Sequence, residues 1–315
     1  MKKVDEGAGP DRSLNPTVSI IIPTYNRSEL LSRAVKSILA QTYGDYEILV
    51  VDSSTTSETR LMLESFKDKR IRYFFEPKIP GFRCMSKARN RALSEARGRY
   101  IAFLDDDDEW LPMKLEKQMD LFAKLPPEVG LVYAGFTKID DSGKVVRQYD
   151  PSFQGDVYQE ALRACFLIPL TAVVRKECFD SLGTFDDTLE FGEDWDMWIR
   201  IASRYRFGFV PERLALYYRH GDSYKGDMLR PMASKERILK RHMGEMSRST
   251  LAYNYHWLGV NYFLEGQLKK AIHFQSKAIA VQPRPSYVLA LLLFPLGNKG
   301  FRAILRATGR SWEDG

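Results

Sequence analysis

Cysteine is scarce in this chain: 315 residues carry three, Cys84, Cys165 and Cys178. None are closely paired, which excludes the usual pattern of a structural zinc site, and their odd number argues against a disulfide framework. A reducing setting is the simplest expectation, the cytoplasm or the cytoplasmic face of a membrane. Long apolar runs are missing too. Val288 to Leu296, which includes Pro295, falls far short of the roughly 20 residues a spanning helix needs. The opening MKKVDEGAGPDRSLNPT begins basic with no apolar run behind it, and reads as a tail rather than a secretory signal. Nor is charge gathered: 47 basic against 41 acidic side chains give +6, scattered rather than drawn into a stripe. Nucleic acid is therefore a poor partner, whereas a phosphate-bearing substrate or an anionic membrane surface is compatible.

What is present suffices for a sizeable core. Apolar residues make up 44% and aromatic ones 12%, which excludes a disordered or fibrous chain, and the length suits one large domain plus a smaller one. Thr17 to Pro23, TVSIIIP, reads as a buried strand. A helix follows with Ser28 as N-cap and Leu30, Leu31, Ala34, Val35, Ile38 and Leu39 on one face. Tyr46 to Val51 is a second strand ending at Asp52, so the three elements form a βαβ unit with a right-handed crossover. The pattern repeats with helix 57–66, strand 71–75, helix 86–96 and strand 99–104, which implies an α/β fold with a mostly parallel central sheet. Further on, Asp140-Asp141-Ser142-Gly143 marks a hairpin. Strands are predicted over 172–175, 207–211 and 214–218, and a helix over 195–203.

From about Met232 the chain turns helical. The stretch 252–285 resembles one tetratricopeptide repeat, with Tyr255, Leu258, Gly259, Tyr262, Gly266, Ala271, Ala278 and Pro283 at the motif's spacing. One repeat has too few neighbours to stand alone, so it packs on the first domain or serves protein or self-association. The organisation read from the sequence is a tail over 1–16, a domain over 17–226 and a helical region over 227–315.

The sharpest local feature is YIAFLDDDDEW, Tyr100 to Trp110. A strand of buried character delivers Asp105, Asp106, Asp107 and Asp108 to its carboxyl end, where open α/β sheets place ligands. Four adjacent carboxylates repel one another, the more so in a crevice of lowered dielectric. A divalent cation would relieve that repulsion, and all-oxygen ligands favour Mg²⁺ or Mn²⁺, either of which can bridge a diphosphate. In an extended segment Asp105 and Asp107 would share one side, with Asp106 opposed. A solvated acidic loop, or a helix N-terminus ahead of Leu115, would produce the same run of acids.

In order, the chain carries IIPTYNR (Ile21 to Arg27), LVVD (Leu49 to Asp52), ARN (Ala88 to Asn90), FLDDDDEW (Phe103 to Trp110) and FGEDWDMWIR (Phe191 to Arg200). This ordered set resembles the inverting glycosyltransferases of family 2, whose nucleotide-binding fold is called GT-A, over roughly two-thirds of the chain. The resemblance implies a nucleotide-sugar donor, with Pro23, Thr24, Tyr25 and Asn26 along the nucleoside and Asp52 accepting from the base. A UDP-sugar is favoured. Where the family continues with an acid or amide, glycine and serine, this chain has Ser53-Ser54-Thr55, which leaves guanosine and thymidine open. Arg83 and Arg89 are candidates to face the diphosphate, guanidinium groups matching phosphate oxygens well; Arg89 could instead only support its helix. Asp105 and Asp106 would join the donor site, and Asp107, Asp105 and His220 the Mn²⁺ or Mg²⁺ site.

Phe191-Gly192-Glu193-Asp194-Trp195-Asp196 places acids at the start of an apolar-faced helix, where exposed amides favour them whatever their function. The resemblance assigns Asp194 as the general base that takes the acceptor hydroxyl's proton, with Glu193 orienting its surroundings and Asp196 pointing elsewhere. Single displacement with inversion follows from the same source. The acceptor is expected to be a saccharide or a lipid-linked one, because the C-terminus mixes an apolar run with Lys299, Arg302, Arg306 and Arg310 and could rest peripherally on an anionic membrane. Two other functions use part of the same evidence. A nucleotidyltransferase or nucleotide-sugar pyrophosphorylase would want a glycine-rich, basic first loop that PTYNR lacks. A non-catalytic scaffold built on the repeat-like helices would leave the acidic clusters unexplained.

Overall fold

The computed structural model describes residues 15–77, 85–140, 142–219 and 228–301. The first half alternates β1 (Val18–Thr24), α1 (Ser28–Leu39), β2 (Tyr46–Asp52), α2 (Glu58–Ser65), β3 (Ile71–Phe75), α3 (Met85–Glu95) and β4 (Tyr100–Phe103). There follow β5 (Glu109–Trp110), α4 (Lys114–Lys124), β6 (Val129–Asp140), β7 (Val145–Tyr149), α5 (Tyr158–Arg163), β8 (Val173–Arg175), α6 (Lys176–Leu182), α7 (Glu193–Ala202) and β9 (Arg206–Arg219). Helices α8 (Leu229–His242), α9 (Arg248–Leu264), α10 (Leu268–Val281) and α11 (Pro285–Leu293) complete the described chain.

One sheet runs β3-β2-β1-β4-β8-β6-β9-β5, with β7 hydrogen-bonded to β6. It is mixed rather than mostly parallel. The pairings of β1 with β2 and β4, of β2 with β3 and of β6 with β9 are parallel. Those of β4 with β8, β5 with β9, and β6 with β7 and β8 are antiparallel. The alternation of strand and crossover helix extends only through β4, so pairing is wholly parallel there, whereas beyond it the parallel pair of β6 with β9 sits among antiparallel ones.

Three local expectations also need adjustment. Ser28 is the first residue of α1, whose N-cap is Arg27 without a side-chain cap. The two short strands expected at 207–211 and 214–218 are one, β9. Pro211 falls where the register against β6 shifts near Gly135; an irregularity of this kind accommodates a residue with no N–H to give the ladder. Finally, Asp105 to Asp108 is a turn closed by Asp108 N–H donating to the Asp105 carbonyl at 3.2 Å, not an extended segment.

Fully buried side chains of β1 and β2 point alternately to the two faces of the sheet. Ile20, Ile22, Ile48 and Val50 join α1 and α4 in one apolar cluster. Ile21, Leu49 and Val51 join α3 and α7 in another, which continues without a break to Leu258, Tyr262, Phe263 and Phe274 of α9 and α10. Helices α9 and α10 approach closely at Gly259, where a Cβ would stand 2.7 Å from Gln275 Oε1 and 3.0 Å from Gln275 N.

The site is located by topology. Strand β1 lies between β2 and β4, so the crossovers leave it in opposite directions and open a crevice beyond the strands' carboxyl ends. Thr24 ends β1 at that edge, Asp52 ends β2, and the four aspartates follow β4.

Candidate active site

The loop after β1 and the aspartate turn are fastened together. Thr24 Oγ1 donates to Asp106 at 2.7 Å. The Arg27 guanidinium spans Asp106 at 3.2 Å and Asp107 at 2.8 Å. Arg33, one and a half turns further along α1, donates to the Asp107 carbonyl at 2.6 Å and pairs with Glu109 at 3.0 Å. Burial alternates along the turn: Asp106 and Asp108 are buried, whereas Asp105 and Asp107 keep 28% and 22% of their side chains exposed. The two accessible carboxylates are therefore Asp105 and Asp107, although the backbone reaches this pattern by turning rather than by extending.

Crowding shows in the acidities. Burial, with Asp107 and Asp105 nearby, pushes the Asp106 carboxyl up to about 6 against the pull of the Thr24 hydroxyl and Arg27. Burial and the same neighbours push Asp108 well above the carboxylate range, although the Tyr218 amide donates to it at 2.9 Å. Hard oxygen donors in excess of nearby cations suit Mg²⁺ or Mn²⁺ chemically. Among the described residues, however, no three His, Cys, Asp or Glu side chains are gathered closely enough to hold an ion by themselves. The described residues could supply two carboxylates, leaving the other positions to a ligand's oxygens or to a residue outside the described ones such as His220.

Asp52 is fully buried; its carboxylate accepts from the Ser54 amide at 2.8 Å and the Tyr73 hydroxyl at 3.0 Å. The serines and threonine after it hold the first loop. Asn26, in the left-handed region at φ 53°, donates its amide to Ser54 Oγ at 2.7 Å and accepts from the Thr55 amide at 2.9 Å. Pro23 is buried within β1 and Tyr25 is exposed. The nucleoside-side residues singled out from the sequence thus lie along one edge.

Arg89 occupies the centre. It is 2% exposed, and its guanidinium joins Asp105 at 2.9 Å to Glu193 at 2.7 Å. The arginine expected to face a diphosphate is instead committed to two carboxylates, tying the turn after β4 to the head of α7. Gly192 precedes that helix with φ +70°, a conformation that costs an L side chain roughly 1–2 kcal/mol. It lets the chain turn abruptly so that Glu193 and Asp194 head the helix. Burial and the Glu193 charge push the Asp194 carboxyl up to about 7, against the pull of Arg89 and the Trp195 amide. A carboxyl poised there can accept a proton near neutral pH. Asp196 does point elsewhere: fully buried, it accepts from Arg200, Arg241 and His242 at 2.9, 2.7 and 3.1 Å. Those donors overcome its burial and hold it below the usual range.

Arg83 and His220 lie outside the described residues, as do Cys84, Arg302, Arg306 and Arg310. Sequence reasoning passed over Arg27, although the motif IIPTYNR contains it, and Lys235, which carries no motif. Burial pushes the Lys235 ammonium down to about 7. It stands 4.6 Å from the Trp195 ring centroid and 4.2 Å from that of Trp257.

Comparison with known proteins bears on the family and the fold. The family model described as "Glycosyl transferase family 2" matches residues 19–183. An uncharacterized glycosyltransferase of Rickettsia conorii is 34% identical over 207 residues, 64% of this chain and 33% of that protein. The chain thus spans about a third of the length of that relative and of its Rickettsia felis counterpart. A UDP-Glc:alpha-D-GlcNAc-diphosphoundecaprenol beta-1,3-glucosyltransferase of Escherichia coli is 30% identical over 82% of this chain and 97% of its own length. Among solved structures, residues 1–349 of TarS from S. aureus in complex with UDP-GlcNAc superpose with a TM-score of 0.67 at 16% identity, covering 94% of this chain and 93% of that one. The mannosyltransferase of Pyrobaculum calidifontis in complex with GDP-Man and Mn²⁺ gives 0.61 at 20% identity, covering 100% and 92%. These likenesses establish the GT-A type of fold.

Proposed function

The chain belongs to glycosyl transferase family 2, and from that premise we propose that it passes a sugar from a nucleotide-sugar donor to an acceptor hydroxyl, with Asp194 as general base. The observation that carries this reading is the Asp194 carboxyl, raised to about 7 at the head of α7 and connected through Glu193 and Arg89 to the aspartate turn.

The donor's nucleoside lies along Pro23, Thr24, Tyr25 and Asn26, with Asp52 toward the base; a UDP-sugar is favoured. Support comes from the shared edge of these residues and from the Ser54 and Thr55 bonds that hold Asn26. Asp105 and Asp107 are the carboxylates open enough to hold Mn²⁺ or Mg²⁺, with Asp106 behind them and His220 the remaining candidate ligand. When bound, the cation would hold the donor diphosphate and neutralise charge developing on the departing nucleotide. The Mn²⁺ found with GDP-Man in the mannosyltransferase supports this choice. Arg83 is the remaining candidate for the diphosphate.

The chain's own residues do the proton work. As the acceptor oxygen attacks the anomeric carbon, its proton passes to the Asp194 carboxylate and the bond to the nucleoside diphosphate breaks on the opposite side. One base and no enzyme nucleophile suffice for single displacement with inversion. Glu193, neutralised by Arg89, orients this region rather than taking the proton.

The reading divides the chain into a GT-A domain over 17–226 and a helical region over 227–315 with one tetratricopeptide-like hairpin, α9 and α10. A lipid-linked saccharide fits as acceptor: the name of the E. coli relative describes one, and α11 with the turn after it leaves Val288, Leu289, Leu292 and Leu296 between 40% and 68% exposed. No helix among the described residues is long and apolar enough to cross a membrane, so such contact would be peripheral.

The test is nucleoside diphosphate release across UDP-, GDP- and dTDP-sugars with Mn²⁺ or Mg²⁺. Metal-dependent release from one donor, lost in Asp107→Asn and Asp194→Asn while Asp194→Asn still binds donor, is the expected result. Release that Asp194→Asn leaves untouched would remove Asp194 as base.

A further inference from the structure

Four elements, α5, α7, α8 and α9, meet beside Asp194. The end of α5 is held against α7 by Trp195 Nε1, which donates to the Ala161 carbonyl at 2.6 Å, and against α9 by Asn254 Nδ2, which donates to the Leu162 carbonyl at 3.2 Å. Helix α8 brings Lys235 between the Trp195 and Trp257 rings. Cys165, just beyond α5, lies within electrostatic reach of Asp194, Glu193 and Lys235 together, which puts the base and the ammonium in one neighbourhood.

Lys235 makes no ion pair or hydrogen bond with any described residue. A lysine stem often covers aromatic surface and sends its ammonium out to water. Here both indoles flank the ammonium itself, an arrangement that stabilises a cation by about 0.5–2 kcal/mol without neutralising it. A second cation stands nearby. The Arg163 guanidinium lies 4.5 Å from the Tyr253 ring centroid and likewise pairs with no carboxylate among the described residues. Tyr253 and Trp257 are four residues apart on α9, hence neighbours on one face roughly 6 Å apart. Two basic side chains with no carboxylate partner among the described residues therefore follow one helix face away from the base, Lys235 carrying its full charge below about pH 7. The two acids at the head of α7 oppose an anion only weakly, because Glu193 is paired with Arg89 and Asp194 is raised to about 7.

We propose that Lys235 and Arg163, held over Trp257 and Tyr253, form an acceptor-side anion subsite that takes the phosphate groups of a diphosphate-linked acceptor. This rests on the transferase reading and deepens it. With the acceptor hydroxyl at Asp194, the diphosphate leads away along α9. The helical region thereby contributes directly to acceptor recognition.

The test uses geranyl diphosphate as probe, titrated into the full chain in metal-free buffer and followed by calorimetry and tryptophan fluorescence, since two indoles flank the lysine. Lys235→Met is expected to weaken binding by about tenfold or more, the scale of a lost charge-assisted hydrogen bond. Lys235→Arg should keep most of the affinity, and Arg163→Gln, an exposed change that leaves the core intact, should lose several-fold. Asp107→Asn should leave probe binding unaltered, and Lys235→Met should bind UDP with Mn²⁺ as the wild type does. Unchanged binding in both Lys235→Met and Arg163→Gln overturns the subsite, as does a wild type that does not bind the probe. If no nucleotide sugar binds but the probe still depends on Lys235, the transferase reading fails while the anion site stands.

Discussion

Replacing Arg89 by methionine removes the side chain that, among the described residues, joins the aspartate turn to the head of α7. Its side chain is 3% exposed and those of its partners Glu193 and Asp105 are 12% and 28% exposed. Breaking a buried pair by deleting one partner costs about 3–5 kcal/mol, because the stranded charge stays desolvated. Asp105 can recover some hydration here, so the lower end, about 3 kcal/mol, is expected. Against a typical total of about 5–15 kcal/mol that is a large loss. With a urea slope of about 3 kcal/mol/M it moves the unfolding midpoint down by roughly 1 M. Arg89→Met with Glu193→Gln should cost less than the sum of the single changes, since the second removes much of the stranded charge. Activity supplies a second sign. Arg89 lowers the Asp194 pKa; without that cation the neutral carboxyl gains, and the rising limb of donor turnover with pH moves upward from about 7. A midpoint within experimental error of the wild type, together with an unmoved limb, would refute the bridge.

Asp194→Asn should reduce sugar transfer at least a hundredfold while donor affinity holds, measured by nucleoside diphosphate release and calorimetry. The same variant should gain stability over the wild type as pH rises. A carboxyl raised from 3.8 to about 7 favours the folded state below its unfolded value and loses that contribution as pH climbs through about 7, so denaturation curves at pH 4 and pH 8 give the check. Asp107→Asn should raise the Mn²⁺ concentration needed for half-maximal turnover by tenfold or more without moving the thermal midpoint of the metal-free protein downward. Gly259→Val would place its Cβ 2.7 Å from Gln275 Oε1, and overpacking of this kind costs about 1–3 kcal/mol, read as a lower midpoint in urea.

Much of the first half was legible because β-branched runs and amphipathic faces alternate there without interruption. Val18 to Thr24 and Tyr46 to Asp52 are buried at every position, which is how an interior parallel strand declares itself. Beyond Asp108 the signals weaken. Glu109–Trp110 is too short to carry a period, and its place beside Leu216 and Ala215 depends on the path of the whole chain. Pro211 broke the apparent continuity of β9 because a sequence shows the missing donor but not the register shift that accommodates it. The acids of the site could be picked out as clusters. Their partners could not, since Arg27 and Asp107 are 80 residues apart and Arg89 and Glu193 104 apart. Lys235 has no local signature at all: its setting comes from two tryptophans on different helices.

The unbroken apolar cluster from Ile21 to Phe274 has a consequence for anyone hoping to exchange parts between relatives. Helix α7 carries Asp194 on one side and, through Trp195, Met197 and Trp198, shares its interior with Leu258 and Tyr262 on the other. A graft that swapped the tail at residue 226 would also replace part of the apolar seat of α7 and of Asp194, the proposed base. A change of acceptor made in the helices is then felt at the reacting centre, and the two would be expected to diverge together, which makes α7 with α9, rather than a linker, the natural unit to transplant.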